Sequence, residues 1–435
     1  GGGVASAMRG AGSGVTGTRN VAFGTGDGTV AYDATLDAAA GSLVSGDDNI
    51  AIGTNAGIGV ASDATTSIGF NALASANNAV AIGTAAIADS VDAVAIGNGA
   101  RATGGRAVSI GSGNVANGDG AVAIGDPNTA TGNGAIASGL DNTATGNGSV
   151  AMGNTNMVGG GGQAVGVPGT AAQGAVGIGY QNIVTGQGAV ALGSTSRALA
   201  AGALAFGDTA VANTDQSIAI GSNSSATGGS AIAIGRISIA NGTNAMAFGA
   251  GATANANTAL ALGNSAVANN FGDVALGAGS TTDTAVGTAS VTIDGTTYNF
   301  AGATPTSTVS VGTATNQRTI TNVAAGRISD TSTDAINGSQ LFATNQAIEN
   351  LSSEVDANAI HYFSVNDNGV VGGNYNNDGA AGVNAVATGV GAAAYGDGSL
   401  AQGLNAVAGV SGSAVQTANA IAVGTGAQAI ALVDQ

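Results

Sequence analysis

The feature that most constrains this chain is a tetrapeptide that returns at a fixed interval. From Asp92 to Gly125 the sequence reads DAVAIGNGARATGGRAVSIGSGNVANGDGAVAIG, in which three near-identical tetrapeptides end on Gly97, Gly111 and Gly125, fourteen residues apart. Glycine closes such an apolar tetrapeptide at 83, 97, 111, 125, 139 and 153, and again at 179, 193, 207, 221, 235, 249, 263 and 277. Looser copies end at Gly24, Gly53 and Gly69. Self-similarity at a short fixed period is the signature of a solenoid, whose coils touch only their neighbours.

The residues inside the repeat indicate what each coil is made of. Three places before the glycine stand Val80, Val94, Val108, Val122, Ile136 and Val150; one place before stand Ile82, Ile96, Ile110, Ile124, Ser138 and Met152. Between them lies only Ala, Ser or Gly, as in Ala81, Ala95, Ser109, Ala123 and Gly177. Large–small–large alternation is the period-two pattern of a short strand. It predicts a strand buried on both faces, with the small column meeting something close. Five places after the glycine comes a second column, Ala88, Ala102, Ala116, Ala130 and Ala144, resumed at Ala198 and continuing to Ala268. This reads as a second strand with a narrow inner position. Turn-formers such as TGGR, NGDG and TGNG follow it and permit positive φ.

One repeat is thus strand, turn, strand, turn: one coil of a parallel β-roll, with room between its sheets only for Val, Ile and Ala. Gly53 to Gly277 spans 224 residues, or sixteen fourteen-residue intervals, and at 4.8 Å per stacked strand the roll would be roughly 77 Å long. Between Gly153 and Gly179 the register breaks, with Pro168 where glycine is expected. The intervals become fifteen and eleven, which predicts one stretched coil and one shortened coil. So thin a roll buries little surface, and its small-residue column predicts self-association.

Composition agrees. Among 435 residues, 77 are glycine, 44% are hydrophobic and only 3% are aromatic, which argues against a thick core of Phe, Leu and Trp. Charged residues are 8%, yet the hydrophobicity is too high and too regular for a disordered chain. The net charge is −17 and every basic residue is arginine, which argues against nucleic-acid binding and against anionic lipid. There is no cysteine, which fits export in an unfolded state but fixes no compartment. No run of eighteen apolar residues suggests a membrane-spanning helix. The ends GGGVASAMRG and AIALVDQ match neither a secretion signal nor an anchor, so the chain reads as an excised fragment.

Beyond Gly277 the pattern changes. TASVTIDGTTYNFAG predicts a hairpin, with Asp294-Gly295 as its two-residue turn. A helix is expected from Asp334 onward. Leu341, Ile348 and Val355 recur every seven residues, with Thr344, Leu351 and Asn358 three places after each. That is about two heptads of coiled coil, with a core of Leu341, Ile348, Leu351 and Val355 and polar residues that fix register. A second set of repeats then ends at Gly389, Gly403 and Gly424.

The order of these parts, with NAVAIGTAAIA at 78–88 and ITNVAAG…STDAINGSQL at 320–341, resembles the trimeric autotransporter adhesins with a YadA-like head. The resemblance implies an all-β solenoid, a left-handed parallel β-roll of fourteen-residue repeats, assembled as a trimer with a short coiled coil after the neck. Left-handedness comes from the resemblance alone, since ordinary crossovers are right-handed. It implies a head at 1–282, a hairpin insertion or connector at 283–319, a neck at 320–343, a coiled-coil stalk at 344–360, a connector at 361–384 and a truncated second head at 385–435. In the neck, Val323, Ala324, Gly326, Thr333, Asp334, Ala335, Asn337, Gln340 and Leu341 would step outward to a neighbouring chain. The irregular stretch at 154–178, a second head without a neck, and the missing β-barrel anchor depart from the family pattern.

The remaining candidates for chemistry read more simply as structure. His361 is the only histidine, so one chain can build no histidine-based triad or metal cluster; it reads as packing beside Tyr362 and Phe363. Glycine strings such as GSGNVANGDG lack the lysine and the βαβ context of a phosphate loop. Asp89, Asp92, Asp119, Asp126 and Asp141 fall in turns and converge on no cleft. A glycan-cleaving solenoid would need a groove with basic and aromatic residues, and a calcium-binding roll has period nine. Thr103, Thr131, Thr145, Thr185 and Thr227 form only a broken outer column for ice. Arg101, Arg197 and Arg236 read as surface charges.

No catalytic, cofactor or metal residues are therefore expected. The expected function is non-catalytic, multivalent attachment of a bacterium to host matrix, cells or abiotic surfaces. The protein would be a homotrimer on the outer membrane surface of a Gram-negative bacterium. The alternatives are a spacer in the adhesin fibre and, against the missing catalytic groups, an enzyme on a β-solenoid. The ligand-binding residues are not legible in the sequence.

Overall fold

The computed structural model describes residues 10–24, 39–159, 172–357, 364–412 and 418–430. The chain divides into two compact units, one of 1–323 with 327–334, the other of 324–326 with 335–435. His361, Tyr362, Phe363 and Pro168 lie outside the described residues.

The first unit is a parallel β-solenoid. One sheet has eighteen strands of two to five residues, running from Val21–Phe23 through Val94–Ile96 to Val274–Leu276 and Val309–Ser310. The facing sheet has fourteen, from Leu73–Ala74 to Val267–Ala268. Each strand pairs in register with its counterpart one coil away, so identical positions stack: Val80 on Val94, Ala81 on Ala95, Ile82 on Ile96. In the second sheet Ala88 stacks on Ala102.

The interior is almost entirely alanine. Ala81, Ala95 and Ala123 enter from the first sheet, Ala88, Ala102 and Ala116 from the second, and Ala79, Ala86, Ala93 and Ala100 from the turns, all without accessible surface. This corrects the sequence expectation on two counts. The small column is the inside of the roll itself and not a face awaiting a partner. The large residues Val94 and Ile96 point outward and are half-buried in the single chain, so the strand is not buried on both faces. A coil of fourteen residues with two strands and two turns leaves the sheets too close for two facing valines.

Where the core does take larger residues, it compensates. Val158 and Val184 are fully buried in the second sheet, and the position facing them is Gly177. A Cβ on Gly177 would lie 2.6 Å from Val158 Cγ2 and 3.4 Å from Val184 Cγ2. The volume removed from one sheet has been added to the other.

The closing glycines are needed for two reasons at once. Gly111 has φ of +120°, and a Cβ there would overlap the carbonyl oxygen of Gly125 in the next coil. No other residue tolerates both the dihedral and the approach.

The register break is resolved differently from the expectation of a stretched coil and a shortened one. Val150–Asn154 pairs directly with Val176–Tyr180, and Met157–Val158 with Ile183–Val184. One coil is enlarged and no second coil is shortened. Fifteen steps, not sixteen, therefore separate Ile50–Ile52 from Val274–Leu276, about 72 Å at 4.8 Å per step.

The hairpin of Ser290–Ile293 and Thr296–Asn299 forms as expected around Asp294 and Gly295, whose φ values of 46° and 76° suit a two-residue turn. It interrupts the last coil and does not follow it. Val309–Ser310, within the segment expected to be a connector, returns to the first sheet beside Val274–Ala275.

In the second unit the helix spans Gly338–Ala357, four residues later than the expected start at Asp334. Asn337 sets the start. Its Oδ1 accepts from the Gln340 N–H at 3.3 Å, while Gln340 Oε1 accepts from the Asn337 N–H at 3.2 Å, a reciprocal capping box. The strands Val386–Thr388, Leu400–Gln402 and Ile421–Val423 stack in parallel, faced by Ala393–Ala394, Val407–Ala408 and Gln428–Ala429. They form a second short roll with its own alanine core of Ala394, Ala401 and Ala408.

Candidate functional site: the head surface and the neck

Because the interior holds only small residues, the roll's larger side chains are displayed outside. The first sheet presents two apolar columns, such as Val122 with Ile124, Val176 with Ile178 and Leu204 with Phe206. The second of each pair is the more open, with Ile124 40% and Phe206 51% exposed. The second sheet presents a mixed column, including Ile87, Arg101, Val115, Thr129, Thr143, Arg197 and Val211.

Three polar ladders run along the roll at its own period. The buried one was not read from the sequence. Asn114, Asn128, Asn142, Asn156 and Asn182 sit just before the second strand of successive coils, each at most 1% exposed. Asn142 Nδ2 donates to the carbonyls of Ser138 at 3.0 Å and Gly153 at 2.7 Å. Its Oδ1 accepts from the Asn156 N–H at 3.1 Å and from Asn156 Nδ2 at 2.9 Å. Other coils carry alanine or serine there, including Ala86, Ala100 and Ser224. The legible signal was the fourteen-residue recurrence of asparagine between 114 and 156, hidden beneath the stronger glycine column.

A second ladder lies at the turns after the second strand. Asn133 Oδ1 accepts from the Asp119 N–H, Asn147 Oδ1 from the Asn133 N–H and Asp215 Oδ1 from the Ala201 N–H, at 2.9–3.2 Å. Short acidic and amide residues recur here because they satisfy the turn of the coil before. Asp119 also pairs with Arg106 at 2.7 Å, and Asp92 accepts from Asn78 Nδ2 at 3.0 Å. Asp89, Asp92, Asp119, Asp126 and Asp141 are all exposed. Asp126, expected in a turn, instead ends the strand Val122–Asp126. No group of three or more His, Cys, Asp or Glu converges to hold a metal among the described residues.

The third ladder is the threonine column, which is only partly threonine. Asn241 Nδ2 donates to Asn255 Oδ1 at 3.2 Å and Asn255 Nδ2 to Asn269 Oδ1 at 3.1 Å, with Thr227 Oγ1 on Asn241 Oδ1 above them. Thr145 is 4% exposed and no part of an outer array, while Thr185 and Thr227 are open. Arg101, Arg197 and Arg236 are exposed.

The roll's last coil is closed by two residues that sequence reading did not single out. Asp273 has no accessible surface, and its Oδ1 accepts from the Thr308 N–H at 2.8 Å, fixing the returning strand. Burial opposes ionisation of this carboxyl, but hydrogen bonds from Thr282, Thr308 and Asn270 outweigh it and hold its pKa below the usual carboxylate range. Arg318 lies over Gly277, where the next coil's glycine would otherwise stack. It donates to Ser280 Oγ at 2.8 Å and to the carbonyls of Val311 and Ala278.

Of the neck residues expected from the family pattern, the structure brings Gly326, Asn337 and Gln340 together. The Gln340 amide, besides capping the helix, pairs with the Gly326 peptide, accepting from its N–H at 2.9 Å and donating to its carbonyl at 2.6 Å. Asp334 instead bonds Arg327, from Nε at 2.8 Å and Nη2 at 3.1 Å. This pairing keeps the Asp334 pKa low. Val323 and Gly326 are half-buried, whereas Ala324, Thr333, Ala335 and Leu341 are exposed. The helix buries no residue in the single chain: Leu341, Ile348, Leu351 and Val355 are 59–62% exposed.

In chain order, then, a parallel β-solenoid of short glycine-closed coils precedes a capped helix with an uncovered heptad stripe. The YadA head domain repeat matches at nine overlapping or successive stretches between residues 62 and 266, and the coiled stalk of trimeric autotransporter adhesin matches residues 319–361. Together they cover just over half of the sequence, and the chain belongs to the trimeric autotransporter adhesins.

It is similar to the autotransporter adhesin BtaE of Brucella suis, 61% identical over 77 residues, which cover 18% of this chain and 10% of that protein. It is also similar to the autotransporter adhesin EhaG of Escherichia coli O157:H7, 47% identical over 88 residues, 19% of this chain and 5% of that protein. The chain therefore spans a tenth or less of these relatives. Among solved structures, a C-terminal YadA-like domain from Burkholderia pseudomallei is 52% identical, covering 27% of this chain and 50% of its own, with a TM-score of 0.23. The collagen-binding domain of Yersinia adhesin YadA is 22% identical, covering 56% and 85%, with a TM-score of 0.25.

Proposed function

We propose that this chain is part of the extracellular passenger of a Gram-negative surface adhesin, acting as a homotrimer and without catalysis. The observation that carries the reading is the order of parts: an outward-dressed roll, a neck and an uncovered heptad stripe follow one another as in the family. Three chains would cover the apolar columns of the first sheet and the stripe of Leu341, Ile348, Leu351 and Val355. Val323 to Leu341 would form the neck between the broad head, whose last coil is completed by Val309–Ser310, and the narrow stalk. Attachment would come from many weak contacts on a repetitive face, multiplied by three chains and many fibres, which raises avidity without a strong single site. The partners would be matrix proteins, cells or abiotic surfaces, with no cofactor.

The test is a titration of labelled protein over immobilised collagen, fibronectin, laminin and bare polystyrene at two salt concentrations. Saturable uptake on one matrix protein identifies a receptor-specific head. Equal uptake on all surfaces identifies general stickiness, and no uptake leaves the chain a spacer within the fibre. A monomer by sedimentation removes the trimer from the reading.

A further inference from the structure

The hairpin that interrupts the last coil is anchored firmly and covered poorly. Among the described residues its strands pair with no other strand, and every residue in them is exposed. A lone two-stranded hairpin is marginal in water. Antiparallel register sorts its side chains into two faces. Thr292 opposes Thr297 on one, with their hydroxyls 3.1 Å apart. On the other, Val291 opposes Tyr298 beside Ile293, and these three are 40%, 53% and 60% exposed. Phe300 prolongs that apolar face and is 46% exposed.

The stem, in contrast, is held at both ends. The Phe300 N–H donates to the Ala289 carbonyl at 2.8 Å. A Cβ on Gly287 would overlap the Ala303 carbonyl oxygen, so the two arms run in close contact. The returning chain is fixed by Asp273 and Arg318, as described above. A Cβ on Gly302 would lie 3.3 Å from Thr333 Cγ2, which places the stem against the neck segment. The arm thus carries an apolar face on a stretch of chain that leaves the roll after Leu276 and rejoins it at Val309, with its stem against the neck segment; Leu276 and Val309 are themselves 44% and 67% exposed.

We propose that this face is a clasp that docks onto a second copy of the same chain at the head–neck junction. The inference rests on the trimer reading. The occupant follows from position and charge. The stem lies against the neck segment, a surface that the reading gives to a neighbouring chain, and the arm's only formal charge, Asp294, stands at the tip. An apolar surface of another copy meets those conditions.

The chain has no cysteine, so a single Ile293→Cys carries a benzophenone label cleanly. Isotope-heavy and light chains are assembled together, irradiated and mapped by mass spectrometry. The expected result is heavy–light crosslinked pairs, with adducts in the neck or last coils of the other chain. Thr292→Cys, on the polar face, is expected to give at least tenfold fewer pairs, as is Ile293→Cys combined with Val291→Ser and Tyr298→Ser. A trimer by sedimentation whose Ile293 adducts all stay within one chain overturns the clasp and leaves the trimer standing. A monomer overturns the trimer reading, and the clasp with it.

Discussion

At the scale of the residue, Gly177 shows how little freedom the interior has. Its missing Cβ makes room for Val158, and neither sheet can move away without breaking a ladder shared with every other coil. Gly177→Ala is expected to destabilise the roll by about 1–3 kcal/mol, the usual cost of overpacking a closed core. Adding Val158→Ala should recover part of that loss, because the methyl groups in the way are gone. Denaturant midpoints of the two single variants and the double variant give the coupling directly. Additive losses would mean that the two positions do not compete for one space. The reciprocal exchange was hidden in the sequence: Gly177 looked like one more small residue in its column, and nothing marked Val158 and Val184 as its opposites.

At the scale of the element, the asparagine ladder and the capping box make separable predictions. Asn142→Ala removes both donors to Ser138 and Gly153 and the acceptor for Asn156 in the next coil. Each buried group left unsatisfied costs about 1–3 kcal/mol. The local consequence is faster hydrogen exchange at the Asn156 amide, while coils beyond Gly221 keep their protection. Uniform loss along the whole roll would mean that the coils unfold together and that the ladder adds no local stability. At the helix start, Gln340→Ala removes the side-chain half of the reciprocal cap, the bond from the Asn337 N–H, and both bonds to Gly326. The expected effect is a helix that frays from Gly338, with a loss of roughly 1 kcal/mol for the cap, read as reduced helical circular dichroism at fixed temperature. Unchanged ellipticity on heating would show that association holds the helix without its cap. The roll strands were legible as elements because their period is two within fourteen, whereas the helix start was misplaced because a cap depends on which residue turns its side chain back.

At the scale of the whole molecule, acid stability depends on how the roll ends. The Asp273 pKa is lower in the folded chain than in the unfolded one, so the folded state holds its proton less readily. Its stabilising contribution is complete above the ordinary carboxylate range near about 4 and is lost as pH falls through the lower folded value. The melting midpoint of the roll should therefore decline below about pH 4. Asp273→Asn should flatten that decline, because amide and carboxylate differ least where the carboxylate is protonated. A variant whose acid decline matches the parent's would place the sensitivity elsewhere, and Asp334 beside Arg327 is then the next residue to change.

The repeat alone fixed that this chain would be a narrow parallel roll, since only a short coil returns Val-Ala-Ile-Gly every fourteen residues, and the heptads alone fixed that a helix with one apolar stripe would follow. These are local periodicities, and local periodicity is what a sequence displays. Which face of each strand lies inside was decided by the tertiary structure. Alternation separates large from small but does not say which set the coil is wide enough to enclose, and the spacing of the sheets selected alanine. The same closure made one enlarged coil of the register break between Gly153 and Gly179, because strands pair with whichever neighbour restores the stack. It also brought Val309–Ser310 back past the hairpin to complete the sheet, a contact set by the unpaired edge of the last coil and not by any pattern in the intervening residues.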